Sequence, residues 1–244
     1  MSVVGQTAIV TGGAVRLGRA FALALAEAGA NVVVHFGNSD DAAEETARLI
    51  RAMGRTCWTC SADFRDPITG TEALFRFVEE KVGPASILVN SAAIFDAARF
   101  EETDPALFDR TMDINFKAPF YLSRRFVSQV PDDIRGQIVN IVDWRAERID
   151  RKFLVYSLAK NSLLELTKAL AIELAPRIRV NAIAPGAILP PPGESEFQEG
   201  KKKEIPLAHT GNPDDLVHAL QYLLNGEFVT GEIMHVTGGE HLTG

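Results

Sequence analysis

The chain has 244 residues, 46% of them hydrophobic and 23% charged, enough apolar material to cover both faces of a large sheet. A formal net charge of -7 argues against a polyanion-binding surface, so nucleic acid is not an expected partner. No apolar run approaches the ~20 residues of a membrane span, and the opening MSVVGQTAIV lacks the basic segment of a secretion signal, which makes the cytoplasm the expected compartment.

Beta-rich apolar runs alternate with longer helical patterns along the chain. TAIVTG (7–12) precedes LGRAFALALAEAG (17–29), NVVVHF (31–36) precedes DDAAEETARLIRAMG (40–54), and TCWTCSADF (56–64) precedes TGTEALFRFVEEKVG (69–83). SILVNS (86–91) leads into a long segment through 105–130, QIVNIV (137–142) into a helical run at 153–175, IRVNAIA (178–184) into PDDLVHALQYLL (213–224), and EIMHVTG (232–238) closes the series. Near-continuous Val/Ile/Leu strands between amphipathic helices predict an α/β fold, a single Rossmann-type, doubly wound domain over 1–244 with a seven-stranded, mostly parallel sheet and helices on both faces. Crossovers in such a sheet are right-handed and ligands lie beyond the carboxyl ends of the strands.

Helix punctuation agrees. Gly29, Gly54 and Gly83 stand where three helices would end, Pro176 stops the helix before it, and Pro105 and Pro213 sit where a first turn accepts proline. The Pro/Gly/Glu/Lys-rich segment over 187–212 is too long for an ordinary connection and reads as a flap over the ligand cleft. Its basic run, Lys201-Lys202-Lys203, is expected to be a solvated loop. Cys57 and Cys60 have redox-motif or half-zinc-site spacing, but in a strand residues three apart point to opposite faces, so two buried thiols are expected and no metal site is predicted.

Between the first strand and helix, Thr11, Gly12, Gly13, Arg16, Leu17 and Gly18 form a glycine-rich turn through which backbone can approach a pyrophosphate at a helix N-terminus. The next strand ends in His35, Phe36, Gly37, Asn38 and Ser39. An acidic residue there would hold a ribose 2'-hydroxyl. None is present, and Arg16, Asn38 and Ser39 can donate hydrogen bonds to a 2'-phosphate, so the expected cofactor is NADPH.

Tyr156 and Lys160 lie one helical turn apart on one face. A phenol beside a cation is a proton donor, because the cation favours phenolate and lowers its pKa. Thirteen residues before Tyr156, after the preceding strand, stands Asp143. A group placed there orients the substrate, and here it is a carboxylate.

In this order, these residues resemble the short-chain dehydrogenase/reductase family along essentially the whole chain. The resemblance rests on TGGAVRLG, Asp63, the NSAA run from Asn90 through Ser91 and Ala92 to Ala93, Asn115 in DINFKAPF, Tyr156 with Lys160, and NAIAPGAI. It implies that Asp63, between Ala62 and Phe64, lies against the adenine, and that Asn90 to Ala93 line the adenosine side. It further implies that Lys160 holds the nicotinamide ribose, that Pro185, Gly186 and Ile188 border the nicotinamide, and that Asn115 holds a water in a relay from Lys160. Arg16 replaces a usual glycine, Asp143 the usual serine, Pro190 a usual threonine, and Phe95 follows the Ala92-Ala93 pair. That set resembles the pteridine reductase branch, including bacterial dihydromonapterin reductases, as do Glu147-Arg148 and the ending from Gly238 to Leu242.

The resemblance implies an NADPH-dependent reductase of a C=N bond in a dihydropterin, with Asp143, Tyr156, Lys160 and Asn115 catalytic and with Arg16, Phe95, Asp143, Tyr156 and Pro190 meeting the substrate. Phe95 is expected to stack on the pterin. Arg16 is expected to reach both pyrophosphate and pterin. A carbonyl reductase of a 3-oxoacyl thioester or small ketone is the alternative, and an idle NADP-binding regulatory protein a further one. A homotetramer is expected by the same resemblance.

Overall fold

The computed structural model describes residues 3–148, 150–190, 195–197 and 200–243. One seven-stranded sheet organises them in the order β3-β2-β1-β4-β5-β6-β7. Its strands are β1 (Thr7–Thr11), β2 (Asn31–Phe36), β3 (Cys57–Ser61), β4 (Ile87–Asn90), β5 (Gly136–Ile141), β6 (Ile178–Pro185) and β7 (Ile233–Val236). Every neighbouring pair is parallel, so the expected "mostly parallel" sheet is parallel throughout. The order reverses beside β1, where β1 pairs with both β2 and β4. That switch point opens a crevice at the strands' carboxyl ends.

The helices are α1 (Arg16–Glu27), α2 (Asp40–Ala52), α3 (Pro67–Lys81), α4 (Pro105–Met112), α5 (Ala118–Gln129), α6 (Leu154–Glu173), α7 (Lys201–Glu204) and α8 (Pro213–Asn225). α1, α2 and α3 stop just before Gly29, Gly54 and Gly83, while Pro105 and Pro213 open α4 and α8 as expected. Asp104 and Asn212 cap those two helices by accepting first-turn amides. The long fourth connection proves to be α4 and α5 joined by one π-helical turn, Asp113–Lys117. Apolar periodicity does not report such a turn, because it adds no break in the pattern.

Two main apolar layers sandwich the sheet. On one face Val10, Val32, Val34, Ile87 and Ile183 pack with Phe21, Leu25, Ile50, Leu216 and Leu220. On the other, Ile9, Val33, Leu88, Ile138 and Val180 pack with Phe75, Val78, Leu122 and Phe126. Cys57 belongs to the first layer and Cys60 to the second, as strand alternation requires. Both are unbridged, and burial pushes their thiols up to about 12 and about 11. Among the described residues no helix is long and apolar enough to cross a membrane and no cluster could hold a metal ion.

Candidate active site

The site forms where β1, β4, β5 and β6 end. After β1 the chain turns tightly into α1, and the close approach is visible in its glycines. A Cβ on Gly12 would lie 2.9 Å from the Cα of Ala92, and one on Gly18 only 2.1 Å from the carbonyl oxygen of Gly12. Leu17 and Gly18 contribute first-turn amides that have no acceptor within the helix by its geometry, and these fit a pyrophosphate. Arg16 sits at φ 52, in the left-handed region where side chains are strained, and its Nη2 donates to the carbonyl oxygen of Pro190 at 2.6 Å. The turn is thereby tied to the segment after β6.

Several side chains expected at the cofactor are engaged in building its platform. Nδ1 of His35 accepts from the Gly12 amide at 3.2 Å, and Nε2 donates to the carbonyl oxygen of Ala62 at 3.0 Å. The His35 carbonyl takes the Gly13 amide at 2.9 Å, so two amides of the glycine turn are held from below. Burial lowers His35 from 6.5 to about 4, against the bond to Ala62, and keeps the ring neutral. Phe64 stacks on that ring at 4.2 Å, and Phe36 lies in the first apolar layer. These three side chains face the core. Thr11 Oγ1 accepts from the amides of Ser91 and Ala92 at 3.0 Å each, pinning the end of β4. Asn90 turns inward, its Nδ2 donating to Asn140 at 2.8 Å.

At the end of β2, Asn38 is exposed and Ser39 half-buried. Ser39 occupies the N-cap position of α2, yet its side chain makes no capping bond. Its hydroxyl thus stays available to a 2'-phosphate. Asp63 is exposed and ion-paired with Arg65 at 2.6 Å, which holds its carboxyl below the usual range. Beyond β6, Gly186 donates to Val236, Ala187 to the buried carboxylate of Glu240, and Ile188 packs into the core. Lys201 is not a solvated end of its run. It binds Glu240 as well as Glu204, and thus fastens the expected flap to the C-terminal turn. Residues 191–194 and 198–199 of that flap lie outside the described residues.

The expected catalytic group centres on Asp143, which follows β5 and caps the short turn Trp144–Ala146. Its Oδ1 accepts from the Arg145 amide at 2.8 Å and from Arg145 Nη1 at 3.3 Å. Its Oδ2 accepts from the Tyr156 hydroxyl at 3.2 Å. Lys160, buried on the next turn of α6, donates to the carbonyl oxygen of Ile141 at 2.7 Å. Burial lowers Lys160 to about 8, opposed by Asp143. Burial also raises Asp143, opposed by Arg145, Lys160 and Tyr156. Tyr156 is pushed well above 10 by burial and then by Asp143. The expectation of a phenol lowered toward neutrality by Lys160 is therefore reversed. The carboxylate lies against the hydroxyl, while the ammonium donates to a strand carbonyl.

Asn115, in the π-helical turn, is fully buried and clamps the strand end opposite. Its Oδ1 accepts from the Ile94 amide at 3.3 Å, and its Nδ2 donates to the carbonyls of Ile94 and Thr111 at 3.1 Å. Phe95 follows, stacked on Phe153 at 4.0 Å and edge-on to Tyr156 at 4.7 Å. Its ring is part of an aromatic wall rather than an isolated plate. Arg145 and Phe153 were missed in the sequence. Phe153 lies three residues before Tyr156 at the start of the same helix, and the i,i+3 spacing is the signal that would have found it.

A family model described as enoyl-(acyl carrier protein) reductase matches residues 13–241. The chain belongs to the short-chain dehydrogenase/reductase family. An uncharacterised oxidoreductase of Thermotoga maritima is 31% identical, with 98% of each chain covered. The 3-oxoacyl-(acyl-carrier-protein) reductase FabG of Staphylococcus aureus is 30% identical over 97% of this chain and 98% of its own. Among solved structures, FolM alternative dihydrofolate reductase 1 from Brucella suis in complex with NADP superposes with a TM-score of 0.90 at 33% identity, covering 98% of this chain and 96% of that one. Within the family pattern this member keeps Tyr156, Lys160 and Asn115 and departs at Arg16, Asp143 and Pro190. Two of those departures, Arg16 and Pro190, are in direct contact.

Proposed function

We propose that this member of the family is an NADPH-dependent reductase of a dihydropterin, dihydrobiopterin or dihydromonapterin, with dihydrofolate as a related substrate, and that it yields the tetrahydro form. The observation that carries the reading is the Asp143–Tyr156 pair. Reduction of a C=N bond needs a proton at the substrate nitrogen. The Asp143 carboxyl and the Tyr156 hydroxyl, hydrogen-bonded to each other, are placed to supply it, and burial draws Asp143 toward its protonated form. NADPH, when bound, supplies the hydride. The turn from Gly12 to Gly18 would hold its pyrophosphate, Asn38 and Ser39 its 2'-phosphate, and Lys160 its ribose. The likeness to FolM in complex with NADP supports both halves of the reading.

The second reading, a carbonyl reductase of a 3-oxoacyl thioester, is favoured by the likeness to FabG. Against it stands Asp143 itself, at the position where the family ordinarily places the hydroxyl that donates to a substrate carbonyl. NADPH oxidation with dihydropterin and with an acetoacetyl thioester separates the two. Turnover of the thioester alone overturns the pterin reading. We further propose a cytoplasmic homotetramer. The exposed Phe108 of α4, Phe120 of α5 and Leu158 and Ile172 of α6 give it an apolar surface to bury, and sedimentation as a monomer at micromolar concentration would overturn it.

A further inference from the structure

Arg145 is held more firmly than a surface arginine. Its Nε donates to Asp150 Oδ2 at 3.2 Å, its Nη1 and its backbone amide both reach Asp143 Oδ1, and only 17% of its side chain is exposed. The guanidinium carbon lies 4.6 Å from the ring centroid of Trp144 and 5.5 Å from those of Phe95 and Phe153. Three aromatic faces and a second carboxylate thus fix a cation against one oxygen of Asp143, leaving the other oxygen to Tyr156. Such a cation favours the ionised carboxylate, and in a dry setting its effect is large.

We propose that Arg145 is a positioning residue that sets both the orientation and the charge of Asp143. Lys160 also favours the ionised Asp143, but its hydrogen bond goes to the carbonyl of Ile141, whereas Arg145 bonds the carboxylate directly. The groups facing Asp143 are Arg145 from its own turn and Tyr156 and Lys160 from α6, with Asp150 acting through Arg145. Glu147, further along the loop, lies 3.2 Å from His235 of β7. Burial draws Asp143 toward protonation, and Arg145 resists it. The charge of the carboxyl is therefore set by burial on one side and by Arg145 on the other. The role deepens the pterin reading and rests on it, but the charge relation itself can be measured without substrate.

The test is the titration of Asp143 in the protein without cofactor, followed by carbon-13 NMR of protein labelled at aspartate Cγ, with the resonance assigned by its loss in Asp143→Asn. In Arg145→Gln the midpoint is expected to rise by about one pH unit or more. In Arg145→Lys it is expected to fall between that variant and the wild type. The pH profile of kcat/KM for dihydropterin should move in the same sense and by a similar amount. Should Arg145→Gln fail to fold, Asp150→Asn is read instead, and its midpoint is expected below the wild type because Arg145 then serves Asp143 alone. Midpoints that coincide with the wild type overturn the proposal. Displaced midpoints with turnover of the thioester alone would leave the proposal standing and overturn the pterin reading.

Discussion

The hydroxyl of Tyr156 donates to Oδ2 of Asp143 at 3.2 Å, so the two groups best placed to give up a proton share one. Each makes the other a different acid. The carboxylate helps raise the phenol well above its usual value, and the phenol's hydrogen bond partly offsets the effect of burial on the carboxyl. Asp143→Asn is expected to lower kcat for dihydropterin by about 100-fold or more, with NADPH affinity nearly unchanged. Tyr156→Phe should cost less at the same bond. Steady-state kinetics with fluorescence titration of NADPH checks both, and the opposite ranking would point to carbonyl chemistry.

Arg16 combines a left-handed backbone with a useful side chain. Replacing it with alanine removes the bond to Pro190 and keeps the strain, whereas glycine removes both. Arg16→Gly is expected to be more stable than Arg16→Ala by about 1 kcal/mol, while both raise KM for pterin. Equal melting temperatures would show that the left-handed conformation costs nothing.

His35 couples the glycine turn to pH. Its value falls from 6.5 to about 4 in the folded chain, so its contribution to stability is complete above 6.5 and is lost as pH falls toward 4. At 1.36 kcal/mol per unit, that span is worth roughly 3 kcal/mol. Urea unfolding at several pH values should show this slope in the wild type and a shallower one in His35→Asn. Parallel profiles would remove His35 as its source.

Gly18 has no room for a side chain. Alanine there would place Cβ 2.1 Å from the Gly12 carbonyl oxygen, and two backbones would have to move. Gly18→Ala is expected to cost about 1–3 kcal/mol of stability and to weaken NADPH binding at least tenfold. Thermal melting and fluorescence titration read the two effects, and unaltered NADPH affinity would separate the turn from the cofactor.

Strand order of use along the chain, helix ends and the identity of Tyr156, Lys160 and Asp143 were legible because each depends on local spacing. A Val-Ile-Leu run must be buried on both faces, and a glycine just past the last turn or a proline in the first turn marks a helix end locally. The mixed outcome at the end of β2 follows the same division. The absence of an acid near Ser39 is a local fact, whereas the inward turn of His35 depends on Gly12, 23 residues earlier.

By itself, the order of residues determined a parallel α/β sheet, a glycine turn before a helix, and a carboxylate where the family has a serine. Only the tertiary structure decided what that carboxylate is. Its protonation reflects burial set against three groups, Arg145, Tyr156 and Lys160, brought together by β5, its following turn and α6. Charge interactions depend on distance and on excluded water, and neither is written in sequence separation.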